Sequence, residues 1–176
     1  MVEEVILVDI NDTETGTMEK MQAHVQGALH RAISVFVFNS DGLLLLQRRA
    51  AEKYHSPGKW SNTCCTHPRP GEINKDAARR RLEEEMGIDC ELIQQGTMLY
   101  RAEFNNGLIE HEFDHLFVGV ADSLPQINPA EVDDYRYVKL ETLMAEITSY
   151  PDHFTPWLII GLEQIGLKTK EDENLA

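Results

Sequence analysis

Residues 60–87, WSNTCCTHPRPGEINKDAARRRLEEEMG, constrain the fold more than any other stretch of the chain. They read as one loop followed by one helix over 75–86, with Asn74 as its N-cap, Asp76 near the positive end of the helix dipole, and Gly87 at the left-handed position past the last turn. Ala78, Leu82 and Met86 recur at four-residue steps and form a buried stripe, while Arg81 and Glu85, also four apart, share a charged flank aimed at the preceding loop. A charged helix face is ordinarily solvated and laced by i,i+4 pairs. Here the loop beside it carries the adjacent thiols Cys64 and Cys65, then His67 and Glu72, a mixture that few purely structural roles require.

The flanking segments supply strands. Residues 32–38 and 43–47 form a hairpin across Asn39-Ser40-Asp41-Gly42 and deliver Arg48 and Arg49; Lys53 follows, and 55–58 must turn at Pro57 and Gly58. Residues 89–100 continue as strand, and 101–104 meets 108 onward across Asn105-Asn106-Gly107. On that second strand Glu110, Glu112 and Asp114 share one face and Ile109, Phe113 and Phe117 the other, the apolar set being expected in the core. Carboxylates this close are costly unless a cation or a proton lies between them, the alternative being a solvent-facing edge. Toward the N-terminus, 4–10 reads as strand, 11–16 as its turn, and 17–29 as a loop or short helix bringing Lys20, His24 and His30. Toward the C-terminus, 131–138 reads as strand, 140–148 as amphipathic helix, and 155–167 as a helix capped by Thr155 with Pro156 at its first position. Trp157 in that helix is core by default, and 168–176 is expected to be a frayed polar tail.

The chain's 176 residues suit a single domain. Without an apolar run near twenty residues or a basic leader, a soluble cytoplasmic protein is expected. Three cysteines, two of them adjacent and pointing to opposite faces if extended, argue against a disulfide framework. The net charge of −14 disfavours nucleic acid and anionic membranes as partners. Positive charge is nevertheless concentrated: residues 48–81 hold nine of the 16 Lys and Arg against Glu52, Glu72 and Asp76, enough to attract a phosphate-bearing anion. No glycine-rich strand-to-helix turn suggests a flavin or nicotinamide.

Glu72, Arg80, Leu82, Glu84, Glu85 and Gly87 resemble the Nudix box, in which loop and helix present carboxylates to a divalent metal that holds a diphosphate. Thr66 replaces the glycine that opens the motif, and Arg81 stands where it carries the first glutamate of its arginine-glutamate pair. Loss of that acid argues for binding a diphosphate without cleaving it. NTCCTHP after Trp60, Arg48-Arg49 with Lys53, and the late Glu110-His111-Glu112 make nearly the whole chain similar to type I isopentenyl-diphosphate isomerases, a Nudix offshoot with the same departure.

The resemblance implies an α+β fold: a Nudix-like α/β/α sandwich with a mixed sheet and an N-terminal extension. It implies interconversion of isopentenyl and dimethylallyl diphosphate through a carbocation, feeding isoprenoid synthesis, by a monomer or weak homodimer. It marks Cys65 and Glu112 as the groups flanking the substrate and Tyr100 as the phenol bonded to the glutamate. Lys20, Arg49, Lys53 and Arg81 are marked for the diphosphate, with Trp157 lining the pocket, where its ring face stabilises positive charge. His24, His30, His67, Glu110 and Glu112 are marked as ligands of Mg²⁺ or Mn²⁺, with Zn²⁺ also admissible, and Glu85 as the ligand of a second Mg²⁺ arriving with the diphosphate. Cys64, Cys90, His55, His111, His115 and His153 are left as structural. Two other readings stand beside this one: a Nudix hydrolase using Glu72, Glu84 and Glu85, and a zinc-stabilised domain using Cys64, Cys65 and His67, whose adjacent cysteines suit structural zinc poorly.

Overall fold

The computed structural model describes the backbone of residues 2–173 and the side chains of residues 2–166. The elements in order are β1 (Glu4–Val8), β2 (Glu14–Glu19), α1 (Lys20–Gln26), β3 (His30–Phe38), β4 (Leu44–Arg49), β5 (Trp60–Ser61), β6 (Cys64–Thr66), α2 (Asn74–Met86), β7 (Leu92–Glu103), β8 (Ile109–Val120), β9 (Val132–Val138), α3 (Leu140–Ser149), a 3₁₀ turn (Pro151–His153) and α4 (Pro156–Glu173). All strands belong to one mixed sheet. β3 lies at its centre, parallel to β8 and antiparallel to β1, β4 and β6.

The two-residue period of β3 explains the layering. Ile33, Val35 and Val37 point to one side and meet Ala77, Ala78, Leu82 and Met86 of α2, with Cys64 among them. Phe36 points to the other side, where Leu116, Leu143, Trp157, Leu158 and Leu162 bring α3 and α4 onto the sheet. The result is a helix layer on each face of a mixed sheet. The N-terminal residues extend that sheet: β1 pairs with β2 along its length and touches β3 through Leu7 and His30.

Several local expectations need correction. Residues 14–19 form a strand, not the end of a turn and the start of a loop; its residues are mostly exposed and show no apolar alternation to announce it. Strand β3 begins at His30, which therefore sits on a strand and not in the preceding loop or helix. Asn74 is the first residue of α2 and not its cap; Ile73 holds that place without a side-chain bond. The entry to α2 is fixed instead by Glu72, whose carboxylate accepts the backbone N–H of Arg69 at 2.8 Å and ion-pairs with Arg80 at 2.7 Å. Thr155 holds the expected position before Pro156, the first residue of α4, but its hydroxyl donates to Ser61 Oγ at 3.1 Å. The α4 backbone passes Leu167 and runs to Glu173, replacing most of the expected tail; residues 174–176 lie outside the described residues. No described helix is long and apolar enough to cross a membrane.

Gly87 ends α2 with φ at 63°, as its position in the sequence requires. A Cβ there would lie 2.7 Å from Gln126 Cβ and 2.9 Å from the Gln126 carbonyl oxygen. Gly87→Ala is expected to cost about 1–3 kcal/mol, from the left-handed backbone together with the clash. Urea unfolding of the two proteins checks this, and an unchanged midpoint would contradict it.

Candidate active site

Strand register assembles the site. Across β3, β8 and β7, His30 lies opposite Glu112 and Glu112 opposite Tyr100, so three functional side chains share one rung. Two residues along, Ala32 faces Asp114, and on the other flank of β3, Ser34 faces Cys65 of β6. These residues, with Glu110, project to the same side as Phe36, so the site continues the core beneath α4. Cys64, one residue from Cys65, pairs with Val35 and is buried on the α2 side, as expected of an extended chain.

The face carrying Glu110, Glu112 and Asp114 is thus not a solvent-facing edge. Relative exposures of 2%, 6% and 1% make the three carboxylates more buried than Ile109 and Phe113, which were expected in the core; Phe117 does reach it, against α2. A recess opens above them. Its walls include Lys20, Arg49, Lys53, Tyr54, His55, Cys65, His67, Arg81, Tyr100, Glu110, Glu112 and Trp157.

His24, His30, His67, Glu110 and Glu112 each offer one donor atom, and all five atoms lie within 4.8 Å of one another. His30 Nε2 is 3.3 Å from His67 Nε2 and 3.5 Å from Glu112 Oε1, and His67 Nε2 is 2.8 Å from that oxygen. Ligands at about 2.1 Å from an octahedral ion are separated by about 3 Å when adjacent and about 4.2 Å when opposite, so the cluster has the dimensions of one cation's shell. Tautomers agree. His24 Nδ1 donates to the Lys20 carbonyl at 2.6 Å and His30 Nδ1 to that of Ala28 at 2.8 Å, which turns both Nε2 lone pairs inward. His24 Nε2 faces Glu110 Oε1 at 3.3 Å, and both it and Glu110 Oε2 are buried without a hydrogen-bond partner. Lone pairs aimed at lone pairs inside a protein call for a cation between them. The residues therefore fit a divalent metal.

The electrostatics follow from burial. Burial opposes ionisation of Glu110, yet the His24 and His55 imidazoles against it hold its pKa well below the carboxylate range. Burial depresses His67 to about 4, despite Glu112. Asp114 is pushed well above its usual value by burial and by Glu112, and it accepts the Ser34 hydroxyl at 2.6 Å. Tyr100 is likewise raised well above its usual value by burial and the neighbouring carboxylates, and its hydroxyl donates to Glu112 Oε2. Cys65 is pushed up to about 12, chiefly by burial and then by Asp114, so it rests as a thiol, donating to Asn62 Oδ1 at 3.1 Å.

The four cations expected on the diphosphate all reach the recess. Lys20 pairs with Glu3 at 3.2 Å, Lys53 with Glu131, and Arg81 with Glu84 at 2.9 Å, with Glu85, and with Glu131 at 3.4 Å. Arg49 differs: it is buried, its Nη2 donates to the His55 carbonyl at 3.3 Å, its Nε has no partner, and it lies 5.2 Å from the Trp157 ring centre. Glu85 is not in the wall. Its two oxygens are held by Arg81 and by Gln47 Nε2 at 2.9 Å, so Arg81 is what the recess meets there. Arg48 stays at the surface, 5.8 Å from the Trp60 ring centre.

His55, set aside as structural, belongs to the site: its Nε2 contacts Glu110 Oε1, and its ring stacks on Phe104 at 5.1 Å. Tyr54, Glu131, Ser61 and Asn62 were also missed. The other histidines set aside are elsewhere: His111 binds the Gly27 carbonyl, His115 binds Asp12 and Gln94, and His153 stacks on Tyr150.

The NUDIX domain family matches residues 28–158, and the fold agrees. A MutT protein from Methanosarcina mazei Go1 superposes with a TM-score of 0.68 at 19% identity, covering 81% of this chain and 96% of that one. The chain is therefore a Nudix-family protein, built around an acid-and-histidine site that the Nudix box alone does not contain. Isopentenyl-diphosphate Delta-isomerase 2 of Aromatoleum aromaticum is 54% identical over 94% of this chain and 87% of its own length, and the isopentenyl-diphosphate Delta-isomerase of Pectobacterium atrosepticum is 54% identical over 92% and 90%. Within the Nudix proteins, the chain belongs to the isopentenyl-diphosphate Delta-isomerase family.

Proposed function

We propose that this recess interconverts isopentenyl and dimethylallyl diphosphate by moving protons between Cys65, Glu112 and the two ends of an allylic unit. Family membership supports the reaction. The observation that carries the residue assignment is the register: Cys65 and Glu112 come from strands on opposite flanks of β3, yet open onto one buried cavity. One group adds a proton to the terminal methylene carbon, leaving a tertiary carbocation; the other takes a proton from the adjacent methylene, restoring the double bond. No electrons are exchanged with a cofactor, and the diphosphate is untouched.

Each remaining residue has a place in that scheme. Tyr100 fixes the Glu112 carboxyl by its hydrogen bond, and Trp157 offers the cation a ring face. Arg49, whose free Nε points to no protein acceptor, anchors the diphosphate with Lys20, Lys53 and Arg81. A divalent ion on His24, His30, His67, Glu110 and Glu112 supplies positive charge that holds Glu112 in place and stabilises its anionic form. Mixed nitrogen and oxygen donors suit Mn²⁺ or Mg²⁺, with Zn²⁺ the third candidate. A Mg²⁺ accompanying the diphosphate is assigned to Glu85, which requires Arg81 to turn from that carboxylate toward the phosphate.

Product analysis tests the reading. With isopentenyl diphosphate and Mg²⁺, dimethylallyl diphosphate should form without phosphate release; hydrolysis of nucleoside diphosphate derivatives with no isomer formed would overturn it. For the metal centre, His24→Ala should weaken Mn²⁺ binding by at least about 10-fold in equilibrium dialysis. Unchanged affinity would remove His24 from the ligand set.

A further inference from the structure

We infer that Ser61 is a positioning residue that ties the Cys65 thiol to the Trp157 indole, so that the thiol and the ring face offered to the cation are set by one hydroxyl. The inference rests on the isomerase reading and names a residue outside the groups that reading uses. Ser61 is 1% exposed and sits on the short strand β5, four residues before Cys65.

Its hydroxyl meets Trp157, Thr155, Asn62 and Cys65. Ser61 Oγ accepts the Trp157 Nε1–H at 3.0 Å and the Thr155 hydroxyl at 3.1 Å, and it donates to Asn62 Oδ1 at 3.0 Å. Ser61 Oγ also lies 3.9 Å from Cys65 Sγ, a weaker direct contact beside the route through Asn62. The direction of the chain is forced from both ends. The indole N–H can only donate. Asn62 Nδ2 is committed to two carbonyls, Val35 O at 3.1 Å and Cys64 O at 2.9 Å, so the amide orientation is fixed and Oδ1 can only accept. Oδ1 takes the Ser61 hydroxyl and the Cys65 S–H together.

The consequence is geometric. Trp157 enters on α4 and Cys65 on β6, elements about ninety residues apart in sequence, and the backbone approach of Thr155 to Trp60 at 3.0 Å brings Ser61 between them. The run Trp157–Ser61–Asn62–Cys65 joins indole to thiol with four side chains, three of them already rigid in the core. It holds the thiol at one rotamer and the indole at one tilt. A misplacement of a reacting group lowers the rate constant more than it lowers binding, because the diphosphate is anchored by other side chains, Lys20, Arg49, Lys53 and Arg81.

The test uses the whole, metal-loaded protein with isopentenyl diphosphate. Ser61→Ala should lower kcat about 10-fold or more while KM stays within about twofold, and Ser61→Thr, which keeps the hydroxyl, should recover most of the rate. Because the indole and the thiol communicate through Ser61, adding Trp157→Phe to Ser61→Ala should cost clearly less than Trp157→Phe costs alone. An unchanged kcat in Ser61→Ala would overturn the inference, as would full additivity of the two substitutions. So would a Ser61→Thr protein that folds with the parent's melting temperature but stays as slow as Ser61→Ala. Absence of isomerisation in the parent protein would instead overturn the reading beneath it.

Discussion

Glu112→Gln is expected to lower isomerisation by at least about 10³-fold with the fold intact, since positioned proton transfer is worth about 10²–10⁴-fold and Glu112 serves here in a second capacity as well. The amide has the size of the carboxyl and retains an oxygen for a cation, so packing against Tyr100 and His67 survives. What it loses is the ability to take or give a proton at the carbon. Tyr100→Phe removes only the hydrogen bond to Glu112 Oε2 and should cost far less. Measured kcat values, with metal content and thermal midpoint determined on the same samples, check this. A Glu112→Gln enzyme within tenfold of the parent would remove Glu112 from the proton-transfer pair.

Cys65→Ala is expected to abolish turnover to the same extent, while Cys64→Ala keeps it. The contrast is the informative part, because the two thiols are adjacent in sequence and separated by the sheet. Cys65 lines the recess; Cys64 packs among Val35, Leu82 and Met86, where its loss leaves a small cavity that should cost about 1–2 kcal/mol in stability and nothing in chemistry. Cys65→Ser should also be slow, although serine can keep the bond to Asn62, because an alcohol is a far weaker acid than a thiol. Equal activity of the Cys65 and Cys64 variants would contradict the assignment.

How much of this is legible in the sequence depends on the range of the signal. Spacing within one element is easily read: the Ala78, Leu82, Met86 stripe is buried, Arg81 and Glu85 form an ion pair, and Gly87 adopts the left-handed turn. The turn at 105–107 joins β7 to β8 as expected, and the strand period separates Cys64 from Cys65 and brings three carboxylates to one face. Signals that depend on tertiary partners are not visible. Strand β2 is polar and exposed, and it is a strand because β1 offers it backbone partners, not because its residues prefer one. Asn74 has the chemistry of a cap, yet the Glu72–Arg80 ion pair fixes the helix entry one residue earlier.

The site shows the same division. Metal-type residues of the resemblance do converge, and the fold adds groups that no spacing could reveal. His55 reaches Glu110 from a turn 55 residues away, Glu131 lies between Lys53 and Arg81 from the start of a distant strand, and Ser61 meets Trp157 across 96 positions. On the face of β8 that carries the carboxylates, Leu116 continues the core where Glu110 and Glu112 begin the site. Alternation places residues on a face; it does not say which part of that face is cavity and which is core.

Under the proposed reaction, two groups in one recess exchange protons with the carbon chain while the diphosphate stays whole. Incubation of the protein with isopentenyl diphosphate and Mg²⁺ in D₂O, followed by proton and phosphorus NMR, tests it most directly. The expected result is dimethylallyl diphosphate carrying deuterium in a methyl group, with both phosphorus signals of an intact diphosphate. Folded, metal-loaded protein that yields neither isomer nor exchange, or that releases phosphate, would contradict the account.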